Sequence, residues 1–445
     1  MENKINRING IIENMTVDAE ELKVHIGKTV RIHGSIYKIR KMSDFAFVLL
    51  RTKRTVVQCV YAKEFSNFEL DELAEESCVI VTAEVIQEER AKVGYELRMI
   101  EVDILSEPSE VSPIVMNQKK VDTSLENLLD YRPVTLRNEK ERAIFKLQEG
   151  IAAGFRQFLM SNGFTEIHSP KIVAEGAEGG ANIFKLDYFG KEAYLAQSPQ
   201  FYKQMMVGVF ERVFEISSVF RAEKHDTSRH LNEYTGVDFE MGYISDFTEI
   251  MEMETAMLKN TMKYLEEKYA LELALLKLKL PEIEEIPSVK FIDAKQMVSE
   301  AYNREIRDYE DFEPEEEKLL CELIQKKTGS EFVFVTHYLS KKRPFYAMEN
   351  PENTEETLSF DLLFRGLEIT TGGQRIHNYE EQLAKLRRRG MEPEHFAGYL
   401  MAHKCGLSPH GGLGLGLERF TAKLLGFENV KNATLFPRDI NRLVP

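Results

Sequence analysis

The sequence predicts an α+β protein with two parts: a small five-stranded β-barrel at the N-terminus, then a larger domain with an antiparallel sheet flanked by helices. Short alternating apolar and polar runs follow one another from residue 28 to 105. Helical patterns and further alternating runs come after them. The length of 445 residues also exceeds what one core usually fills. We expect domains at 1–105 and 138–445, joined by a linker or hinge at 106–137.

The N-terminal part carries the strand pattern and a local positive charge. Five short alternating segments in about 80 residues are typical of a barrel of the oligonucleotide-binding (OB) type. Between Lys28 and Lys63 there are nine basic residues and one acid, although the net charge of the whole chain is −15. This distribution favours contact with nucleic acid at chosen places rather than non-specific coating.

The larger part contains clear helix signals. Asn138 is a predicted N-cap for a helix that ends at Gly163, and a second long helix is predicted over 246–269. The stretch 282–353 is acidic and weakly patterned, and is interpreted as a helical insertion packed on the main domain.

Several classes of protein are excluded by composition. No apolar stretch approaches the ~18 residues of a membrane span, and the N-terminus lacks the layout of a signal peptide. The four cysteines lie far apart, which argues against a zinc site or a disulfide framework. We therefore expect a cytoplasmic protein that does not bind membranes.

A charged hairpin is the most informative segment. Residues 212–220 and 232–243 alternate, and the polar loop Lys224–His230 lies between them, which predicts two antiparallel strands. Arg221 is flanked by buried-strand sequence, so it requires a fixed anion such as a carboxylate or phosphate. The alternative is a surface hairpin with exposed ion pairs.

The order of residues in this hairpin resembles a known motif. Phe220-Arg221-Ala222-Glu223, followed by Thr227-x-Arg229-His230-Leu231, resembles motif 2 of the class II aminoacyl-tRNA synthetases. Its continuation is similar to the aspartyl-tRNA synthetases of archaeal and eukaryotic type, and the resemblance covers nearly the whole chain. It implies ATP and L-aspartate as substrates, Mg²⁺ as cofactor and tRNA(Asp) as partner, and it leaves open whether tRNA(Asn) is also charged.

The resemblance also implies roles for individual residues. Arg221 would bridge the ATP α-phosphate and the substrate carboxylate, and it forms the catalytic pair with Arg419. Tyr234 and Arg419 would sandwich adenine, and the loop Lys224–Ser228 would meet the tRNA acceptor end. The implied ATP-binding residues are Arg221, Ala222, Glu223, Arg229, His230, Leu231, Tyr234, Glu368, Gly416, Leu417, Glu418 and Arg419.

A second predicted hairpin carries two acids. Residues 359–370 fit two strands around an Arg365-Gly366 turn, with Leu363 opposite Glu368. Asp361 and Glu368 are then diagonal neighbours, roughly 7–8 Å apart at the backbone. Two such carboxylates repel unless a cation lies between them, and Mg²⁺ with ATP phosphates would suit. A surface strand with unpaired acids is the alternative; the resemblance implies a metal site of Asp361, Glu368 and Thr371.

The predicted amino-acid pocket starts at a helix. Ser198 is a predicted cap, and Gln200 and Lys203 share a helix face. Such a lysine more often extends to water, but the resemblance implies that Lys203 and Arg375 bind the substrate side-chain carboxylate. Both cations would be under-paired with asparagine. The resemblance adds Gln200, Arg221, Thr371 and the loop residue Glu178 to the aspartate site.

Thr371 marks a departure from the family pattern. The family usually has Ser-Gly-Ala-Gln-Arg where this chain has Thr371-Gly-Gly-Gln-Arg375. Strict alternation would place Glu368 and Thr371 on opposite faces, so we expect Gly372-Gly373 to bend the strand.

Two further segments resemble the remaining class II motifs. His410–Arg419 lacks the P-loop and dinucleotide spacings, and predicts a strand followed by a helix near Leu417, as in motif 3. Residues 163–170 fit motif 1 and imply a homodimer interface around Pro170. In the barrel, the resemblance implies that Arg40, Phe47 and Gln58 bind the anticodon, with a core role as the alternative for Phe47.

Three rival functions differ in recognisable features. An asparaginyl-tRNA synthetase would lack Lys203. A non-catalytic tRNA-binding paralogue would not need to retain the arginines and acids of the predicted site. An asparagine synthetase of the amidotransfer type related to this fold would lack the N-terminal barrel. No Ser/His/Asp or Cys/His set suggests a protein nucleophile, so positioning and charge neutralisation would provide catalysis.

Overall fold

The computed structural model describes residues 5–8, 16–91, 94–176 and 182–445. The chain divides into two compact units. Unit 1 consists of Met1–Ser124 and Pro133–Glu141, and unit 2 consists of Leu125–Arg132 and Arg142–Pro445.

Unit 1 is built on one sheet. Its strands are β1 Asn6–Arg7, β2 Thr29–Lys41, β3 Phe45–Arg51, β4 Val56–Ala62, β5 Cys78–Gln87 and β6 Tyr95–Ser106. They pair in the order β1-β6-β4-β3-β2-β5, with an additional pairing between β5 and β6. The five predicted strands are therefore present, and a two-residue strand joins them at the edge.

The predicted closed barrel is not confirmed. Strand β6 pairs with β5 at ten positions, but it meets β4 at only two, Cys59 opposite Leu97 and Val60 opposite Arg98. Two parallel residue pairs are a short contact compared with the antiparallel ladders around them. Sequence alternation identifies strands and their faces, but it does not contain the pairing that would close a barrel.

Strand alternation sets the two faces of this sheet. Ala46, Val48 and Leu50 are fully buried in the unit 1 core. Phe47, between them in the same strand, is only half-buried and points to the other face. The core alternative for Phe47 is therefore wrong.

Unit 2 and the segment leading into it contain helices and a large sheet. The helices are α1 Leu125–Asp130, α2 Arg132–Thr135, α3 Glu139–Ser161, α4 Gln200–Phe210, α5 Thr248–Lys268, α6 Ala270–Leu276, α7 Phe291–Tyr302, α8 Pro314–Thr328, α9 Tyr379–Arg388, α10 Ala397–Lys404 and α11 Leu417–Leu424. The strands are β7 Thr165–Glu166, β8 Ile172–Val173, β9 Lys185–Tyr188, β10 Lys191–Leu195, β11 Arg212–Phe220, β12 Glu233–Gly242, β13 Ser288–Lys290, β14 Phe332–Thr336, β15 Glu349–Asn350, β16 Asn353–Thr357, β17 Ser359–Phe364, β18 Leu367–Gln374 and β19 His410–Gly416.

The central sheet of unit 2 has eight strands in the order β13-β14-β17-β18-β19-β12-β11-β7. Its pairings are antiparallel except at the two ends, where β13–β14 and β7–β11 run parallel. Apolar side chains of α3, α5 and α11 bury one face in the main core. Helices α7 and α8 cover part of the other face through a separate apolar cluster. The rest of that second face is the floor of a cleft.

The segment 282–353 differs from its interpretation as a helical insertion. It supplies α7 and α8, but it also supplies β13 and β14, which extend the central sheet. The β14 residues Phe332–Thr336 are all buried, which the acidic composition around them obscured. This segment is part of the architecture of unit 2.

The two predicted helix starts have different outcomes. Asn138 is confirmed as a cap, because its Oδ1 accepts hydrogen bonds from the backbone N–H groups of Lys140 and Glu141 at 3.0 and 3.4 Å. The cap at Ser198 is wrong by one residue: α4 begins at Gln200, and Pro199 occupies the cap position. The face shared by Gln200 and Lys203 is unaffected, and both are buried.

The helices and the cysteines bear on two features of the chain, membrane-spanning length and disulfide bonding. No helix in the ranges given above is long and apolar enough to cross a membrane. All four cysteines are free thiols.

A buried acid in the main core makes stability depend on pH. Glu254 of α5 is fully buried and accepts a 2.6 Å hydrogen bond from the Thr370 hydroxyl. Burial raises its pKa from 4.5 to about 8. The folded state therefore holds this proton more tightly than the unfolded state, and the associated stability is present below pH 4.5 and lost progressively up to about pH 8.

We expect Glu254→Gln to remove this dependence. The amide needs no proton and can still accept the hydrogen bond from Thr370, so the variant should gain on the order of a few kcal/mol over the wild type near pH 8, and little near pH 4.5. Thermal unfolding at both pH values tests this, with the exposed neighbour Glu252→Gln as the matched control. A gain of the same size at both pH values would contradict it.

Candidate active site

The cleft lies on the open face of the central sheet, over β12, β17, β18 and β19. Its volume is about 510 Å³. Both predicted hairpins and the glycine-rich strand contribute residues to it, so these distant sequence segments meet in one place. The predicted site residues that line it are Gln200, Lys203, Arg221, Glu223, Arg229, His230, Leu231, Tyr234, Asp361, Glu368, Thr371, Arg375, Gly416, Glu418 and Arg419.

The first predicted hairpin is confirmed. Strands β11 and β12 pair antiparallel from Arg212–Met241 to Phe220–Glu233. Beyond the last pair, the Arg221 backbone N–H donates to the Asn232 carbonyl at 2.9 Å. We call residues 221–232 the cleft loop, because it carries Arg221, Arg229 and His230 into the cleft.

Neighbouring charges act on two side chains of the cleft loop, Arg229 and His230, and on Glu317, which contacts the loop. Arg229 forms an ion pair with Glu317 of α8. Burial and the charge of Arg419 lower the pKa of His230 below its ordinary value, so this imidazole is neutral at pH 7. Burial raises the pKa of Glu317 to about 7, although Arg229 opposes that shift.

The second hairpin contains a bulge that decides which side chains meet. Leu363 pairs with Glu368, as predicted, but Leu362 pairs with Thr370, so Ile369 is an extra residue. Ile369 and Thr370 both point to the core, where Thr370 reaches Glu254. Glu368 and Thr371 consequently share the cleft face, and the Thr371 hydroxyl donates to Glu368 Oε1 at 3.0 Å.

The predicted cause of this shared face, a bend at Gly372-Gly373, is wrong, because the bulge at Ile369 produces it. Gly372 and Gly373 pair in regular register with both neighbouring strands, so they are not the site of the irregularity. A bulge inserts one residue into one strand and changes the facing order of the residues around it. The extra residue is apolar and β-branched, which is why the sequence around it looks like ordinary strand.

The two predicted metal carboxylates lie close together among cations. Asp361 Oδ1 lies 2.8 Å from Arg343 Nη2, and Glu368 Oε1 lies 3.7 Å from Arg419 Nη1. Burial, with a contribution from Glu368, raises the pKa of Asp361 to about 6 against the opposing charge of Arg343. Burial also acts on Glu368, but Arg419 and Arg343 outweigh it and keep its pKa below the ordinary value.

Arg343 is a cleft residue that sequence reasoning missed. Its guanidinium lies over the Tyr338 ring at 3.9 Å, and its side chain is about 11% exposed. The close pair with Asp361 is poorly aligned, so neither the Arg343 Nη2 nor the Asp361 Oδ1 has a properly directed hydrogen bond within the described residues. Arg343 belongs to the segment interpreted as an insertion, so nothing in its surroundings linked it to the carboxylate hairpin.

The residues of the predicted metal site fit a divalent cation in part. Two carboxylates and a hydroxyl converge there, and one carboxylate oxygen lacks an aligned donor. Within the described ranges, no group of three or more His, Cys, Asp or Glu side chains could hold a metal alone. Mg²⁺ usually takes one or two carboxylates and completes its shell with water and phosphate oxygens, so this donor set suits a magnesium that arrives with a phosphate ligand.

Lys203 is fully buried at the other end of the cleft. Its ammonium donates to Asp238 Oδ1 and to the Leu413 carbonyl, both at 2.8 Å, and lies 3.6 Å from Glu240 Oε2. Burial raises the pKa of Asp238, with Glu215 and Glu240 adding to the effect and Lys203 opposing it.

Arg375 is held in the same way. Its Nε donates to Glu240 Oε1 at 3.0 Å, and its Nη2 donates to the Gly412 carbonyl at 2.8 Å. The prediction that Lys203 and Arg375 depend on the substrate for a counterion is therefore wrong. Asp238 and Glu240 belong to the sequence that resembles the family, but the sequence did not indicate what they contact. The fold shows that they are the partners of Lys203 and Arg375.

The glycines of β19 make room for those partners. Gly414 pairs with Asp238 and Gly412 pairs with Glu240 across β12 and β19. A Cβ on Gly412 would lie 2.4 Å from Glu240 Oε2, and one on Gly414 would lie 3.0 Å from Asp238 Oδ1. The prediction of a strand before a helix at Leu417 is confirmed; the close approach is to buried carboxylates.

The remaining predicted residues have varied positions. Gln200 is buried in the cleft wall, and its Nε2 has no hydrogen-bond partner in the described part of the chain. Glu418 accepts the Thr235 N–H at 3.0 and 3.1 Å. Leu417 packs in the main core, Ala222 is near the cleft without lining it, and Glu178 lies outside the described residues.

Unit 1 brings its three predicted residues to one face. Arg40 pairs with Phe47 across β2 and β3, and Phe47 pairs with Val60 across β3 and β4. Gln58 lies two residues before Val60, so its side chain is on the face of Phe47. Arg40 is exposed, and Phe47 and Gln58 are half-buried.

The open face of the central sheet thus gathers arginines and carboxylates in one cleft, an arrangement suited to binding phosphate and carboxylate groups. The sequence matches the family described as tRNA synthetases class II (D, K and N) over residues 124–440, and the chain belongs to that family. It is therefore an ATP-dependent aminoacyl-tRNA synthetase.

Individual relatives extend the likeness over nearly the full length. The chain is 45% identical to the "Aspartate--tRNA(Asp/Asn) ligase" of Deinococcus radiodurans, covering 96% of this chain and 98% of that one. It is 44% identical to the protein of the same name from Thermus thermophilus, covering 97% and 100%. The crystal structure of asparaginyl-tRNA synthetase from Pyrococcus horikoshii with asparaginyl-adenylate superposes with a TM-score of 0.89 at 30% identity, covering 98% and 100%.

Proposed function

We propose that this enzyme activates L-aspartate with ATP and transfers the aspartyl group to the 3′ end of tRNA. The observation that carries the proposal is the charge arrangement at the closed end of the cleft. Lys203 and Arg375 are fixed there by Asp238 and Glu240, within the same cleft as Arg221 and the Asp361–Glu368 pair.

The charges of this pocket favour aspartate over asparagine. Lys203, Arg375 and Arg221 line the cleft, whereas of the two carboxylates that hold Lys203 and Arg375 only Asp238 does, so this group of residues presents an excess of positive charge to a ligand. Aspartate carries a net charge of about −1 at pH 7 and balances this excess, whereas asparagine does not. A buried uncompensated charge is costly, so this argument supports aspartate even though neither cation is unpaired.

The proposed contacts follow from the substrate's three charged groups. The side-chain carboxylate would bind Lys203 and Arg375, and the α-carboxylate would bind Arg221. The α-ammonium would take Asp238 as its anion, with Glu178 as the predicted second partner. Gln200 supports the assignment, because its buried Nε2 can donate a hydrogen bond to the substrate. Thr371 also lines the cleft.

ATP would occupy the open end of the cleft. Arg221, Arg229 and Arg419 would bind its phosphates, with Tyr234 beside adenine. Glu368 is available to a cation between the carboxylates and the phosphates. The further residues proposed for ATP are Ala222, Glu223, His230, Leu231, Gly416, Leu417 and Glu418, among which Leu417 could act only through its backbone because its side chain is in the core.

Magnesium would be held by Asp361 and Glu368 with Thr371 beside them. When bound, it would neutralise phosphate charge. The side chains of the protein would position the reactants. Arg221 would hold the substrate carboxylate next to the α-phosphate, and Arg419 and Arg229 would hold the remaining phosphates. The α-carboxylate then attacks the α-phosphorus, giving aspartyl-adenylate and pyrophosphate. In a second step the terminal ribose hydroxyl of tRNA attacks the aspartyl carbonyl, which forms the ester and releases AMP.

Unit 1 is proposed to bind the tRNA anticodon through the face of Arg40, Phe47 and Gln58. A half-buried phenylalanine beside an exposed arginine provides a stacking surface and a phosphate contact for single-stranded nucleotides. Although the closed barrel is not confirmed, this face needs only the three paired strands β2, β3 and β4.

Phe47→Ala is expected to separate tRNA charging from amino-acid activation. Loss of one stacked base costs ~1–3 kcal/mol, so the KM for tRNA should rise roughly tenfold or more. Aspartate-dependent ATP–pyrophosphate exchange should be unchanged. Phe65→Ala, another half-buried phenylalanine of unit 1 outside strands β2–β4, is the control. An equal loss of both activities would refute the anticodon role.

The two named relatives with the highest identities also lead us to propose that tRNA(Asn) is a substrate beside tRNA(Asp). Charging assays with both purified tRNAs and labelled aspartate test this. Aspartylation of tRNA(Asp) alone would restrict the enzyme to one tRNA, and charging of tRNA(Asn) with asparagine instead would indicate an asparaginyl enzyme.

We also propose a homodimer formed around Pro170. Pro170 follows β7, the edge strand that pairs with β11, and three large apolar side chains next to the start of β11 are exposed: Val209, Phe210 and Tyr243. Exposed apolar clusters of this kind favour association. Light scattering would give twice the chain mass of 51.4 kDa, and a monomer mass at micromolar concentration would refute the proposal.

A further inference from the structure

The C-terminal segment 430–442, here named the C-terminal clamp, contacts the cleft loop at several points. The Val430 N–H donates to the Ser228 carbonyl at 3.0 Å, and the Asn232 N–H donates to the Arg438 carbonyl at 2.8 Å. These two contacts lie on either side of residues 229–231, in the second half of the loop. The clamp therefore brackets the segment that carries Arg229 and His230.

The side-chain contact between the two segments is an ion pair. Lys431 Nζ lies 2.8 Å from Asp226 Oδ1 and 2.6 Å from Asp439 Oδ2. The Lys431 side chain is only 6% exposed, and Asn441 Nδ2 donates to the second oxygen of Asp226 at 3.1 Å. Burial lowers the pKa of Lys431, but the two carboxylates outweigh it and hold the lysine charged.

The clamp is itself held firmly within unit 2. The fully buried Arg132 donates to the carbonyls of Thr434 and Leu435 at 2.7 and 3.0 Å. At the far end, Arg442 pairs with Glu126 and Asp130 of α1 at 2.8 and 2.7 Å. A segment anchored at both ends can fix a neighbouring loop, because its own position does not depend on that loop.

Two charged residues of the cleft loop, Asp226 and Arg229, are held by different parts of unit 2. Arg229 is held from α8 through Glu317, on the cleft side. Asp226 is held instead by Lys431 and Asn441 of the C-terminal clamp, in the part of the loop predicted to face the tRNA acceptor end. An unpaired carboxylate there would repel RNA phosphates, and its pair with Lys431 removes that repulsion.

We propose that Lys431 and Asp226 are positioning residues: the C-terminal clamp fixes the cleft loop through their ion pair, and thereby sets the affinity of the enzyme for ATP and for the tRNA acceptor end. Neither residue touches the amino-acid pocket. This inference rests on the proposed function for its kinetic part, whereas the physical restraint of the loop can be measured without any activity.

Asp226→Ala is the primary test, because it removes the loop side of the contact and leaves the buried Lys431–Asp439 pair intact. We expect the KM for ATP in pyrophosphate exchange and the KM for tRNA in charging each to rise about five- to tenfold, as expected for loss of one charge-assisted contact. The KM for aspartate should stay within about twofold, because Lys203 and Arg375 are held by β12 and β19. Asp226→Asn, which keeps an acceptor for Lys431, should recover most of the loss.

Hydrogen exchange of the loop amides provides the second measurement. The amides of 224–230 should exchange about five- to tenfold faster in Asp226→Ala than in the wild type. Glu428→Ala, which removes a fully exposed acid near the clamp, is the matched control and should change neither measurement.

The outcomes are distinguishable. Unchanged ATP and tRNA KM values with unchanged loop exchange would overturn the inference. So would a parallel rise of all three KM values with a lowered unfolding temperature, because that pattern indicates general destabilisation. If the wild type shows no aspartate-dependent exchange, the proposed function fails, and the loop-exchange measurement alone then decides whether the clamp restrains the loop.

Discussion

Lys203→Met is expected to reduce aspartate-dependent ATP–pyrophosphate exchange by about two to three orders of magnitude. Loss of a fully buried, hydrogen-bonded charge pair with a ligand typically costs ~2–5 kcal/mol. Methionine keeps most of the volume of lysine but cannot bind the substrate side-chain carboxylate. The loss should be in the KM for aspartate and in kcat, while ATP binding is retained, because the arginines proposed to bind the phosphates are not among the partners of Lys203.

The control for this variant has to separate binding from stability. Removing Lys203 leaves Asp238 and Glu240 buried with one counterion fewer, which destabilises the fold by itself. Lys295→Met removes another fully buried lysine, paired with Glu316 outside the cleft, and has the same kind of structural cost. If both variants lose exchange equally, or if Lys203→Met binds aspartate normally, the pocket assignment is wrong.

Glu368→Gln is expected to have the second largest effect, a loss of exchange of about a hundredfold or more. Arg419 and Arg343 keep this carboxylate ionised, so the amide removes a full charge from the position proposed for magnesium. Removing a charge that organises phosphate chemistry costs several kcal/mol in comparable sites. The half-saturating Mg²⁺ concentration should rise with it, since one of the two carboxylates is lost.

A readout independent of turnover is required here. Titration of Mn²⁺ into enzyme with ATP, followed by electron paramagnetic resonance, reports cation binding directly. Glu331→Gln is the control. Glu331 pairs with Arg365, which lies at the turn of the same hairpin, so this variant should leave cation binding unchanged. Normal Mn²⁺ affinity in Glu368→Gln would remove this residue from the metal site.

The parts of the site that the sequence predicted are those carried by local pattern. Alternation around the Arg365-Gly366 turn and along β11 and β12 was enough to place Asp361 and Glu368 on strands and Arg221 directly after one, and to pair Leu363 with Glu368. The order of residues in the hairpin then indicated the family. Both kinds of information lie within single hairpins of the chain.

The parts that could not be predicted depend on contacts between distant segments. Nothing near Lys203 shows that Asp238, 35 residues later, is its partner, or that Gly414 must lack a side chain to accommodate that carboxylate. Arg343 lies in a segment whose acidic composition hid two strands of the central sheet. Ion pairs of this kind follow from the fold, and a pattern of period two or 3.6 contains no information about them.

The bulge at Ile369 has a consequence for changes in chain length. Residues three apart on a regular strand face opposite ways, yet Glu368 and Thr371 face the same way because one residue between them is supernumerary. Losing that residue would restore a regular ladder with both side chains still on the cleft side, whereas losing two would turn one of them into the core. Between Glu368 and Thr371, the chain thus has a spare position where a single deletion leaves the direction of both side chains unchanged.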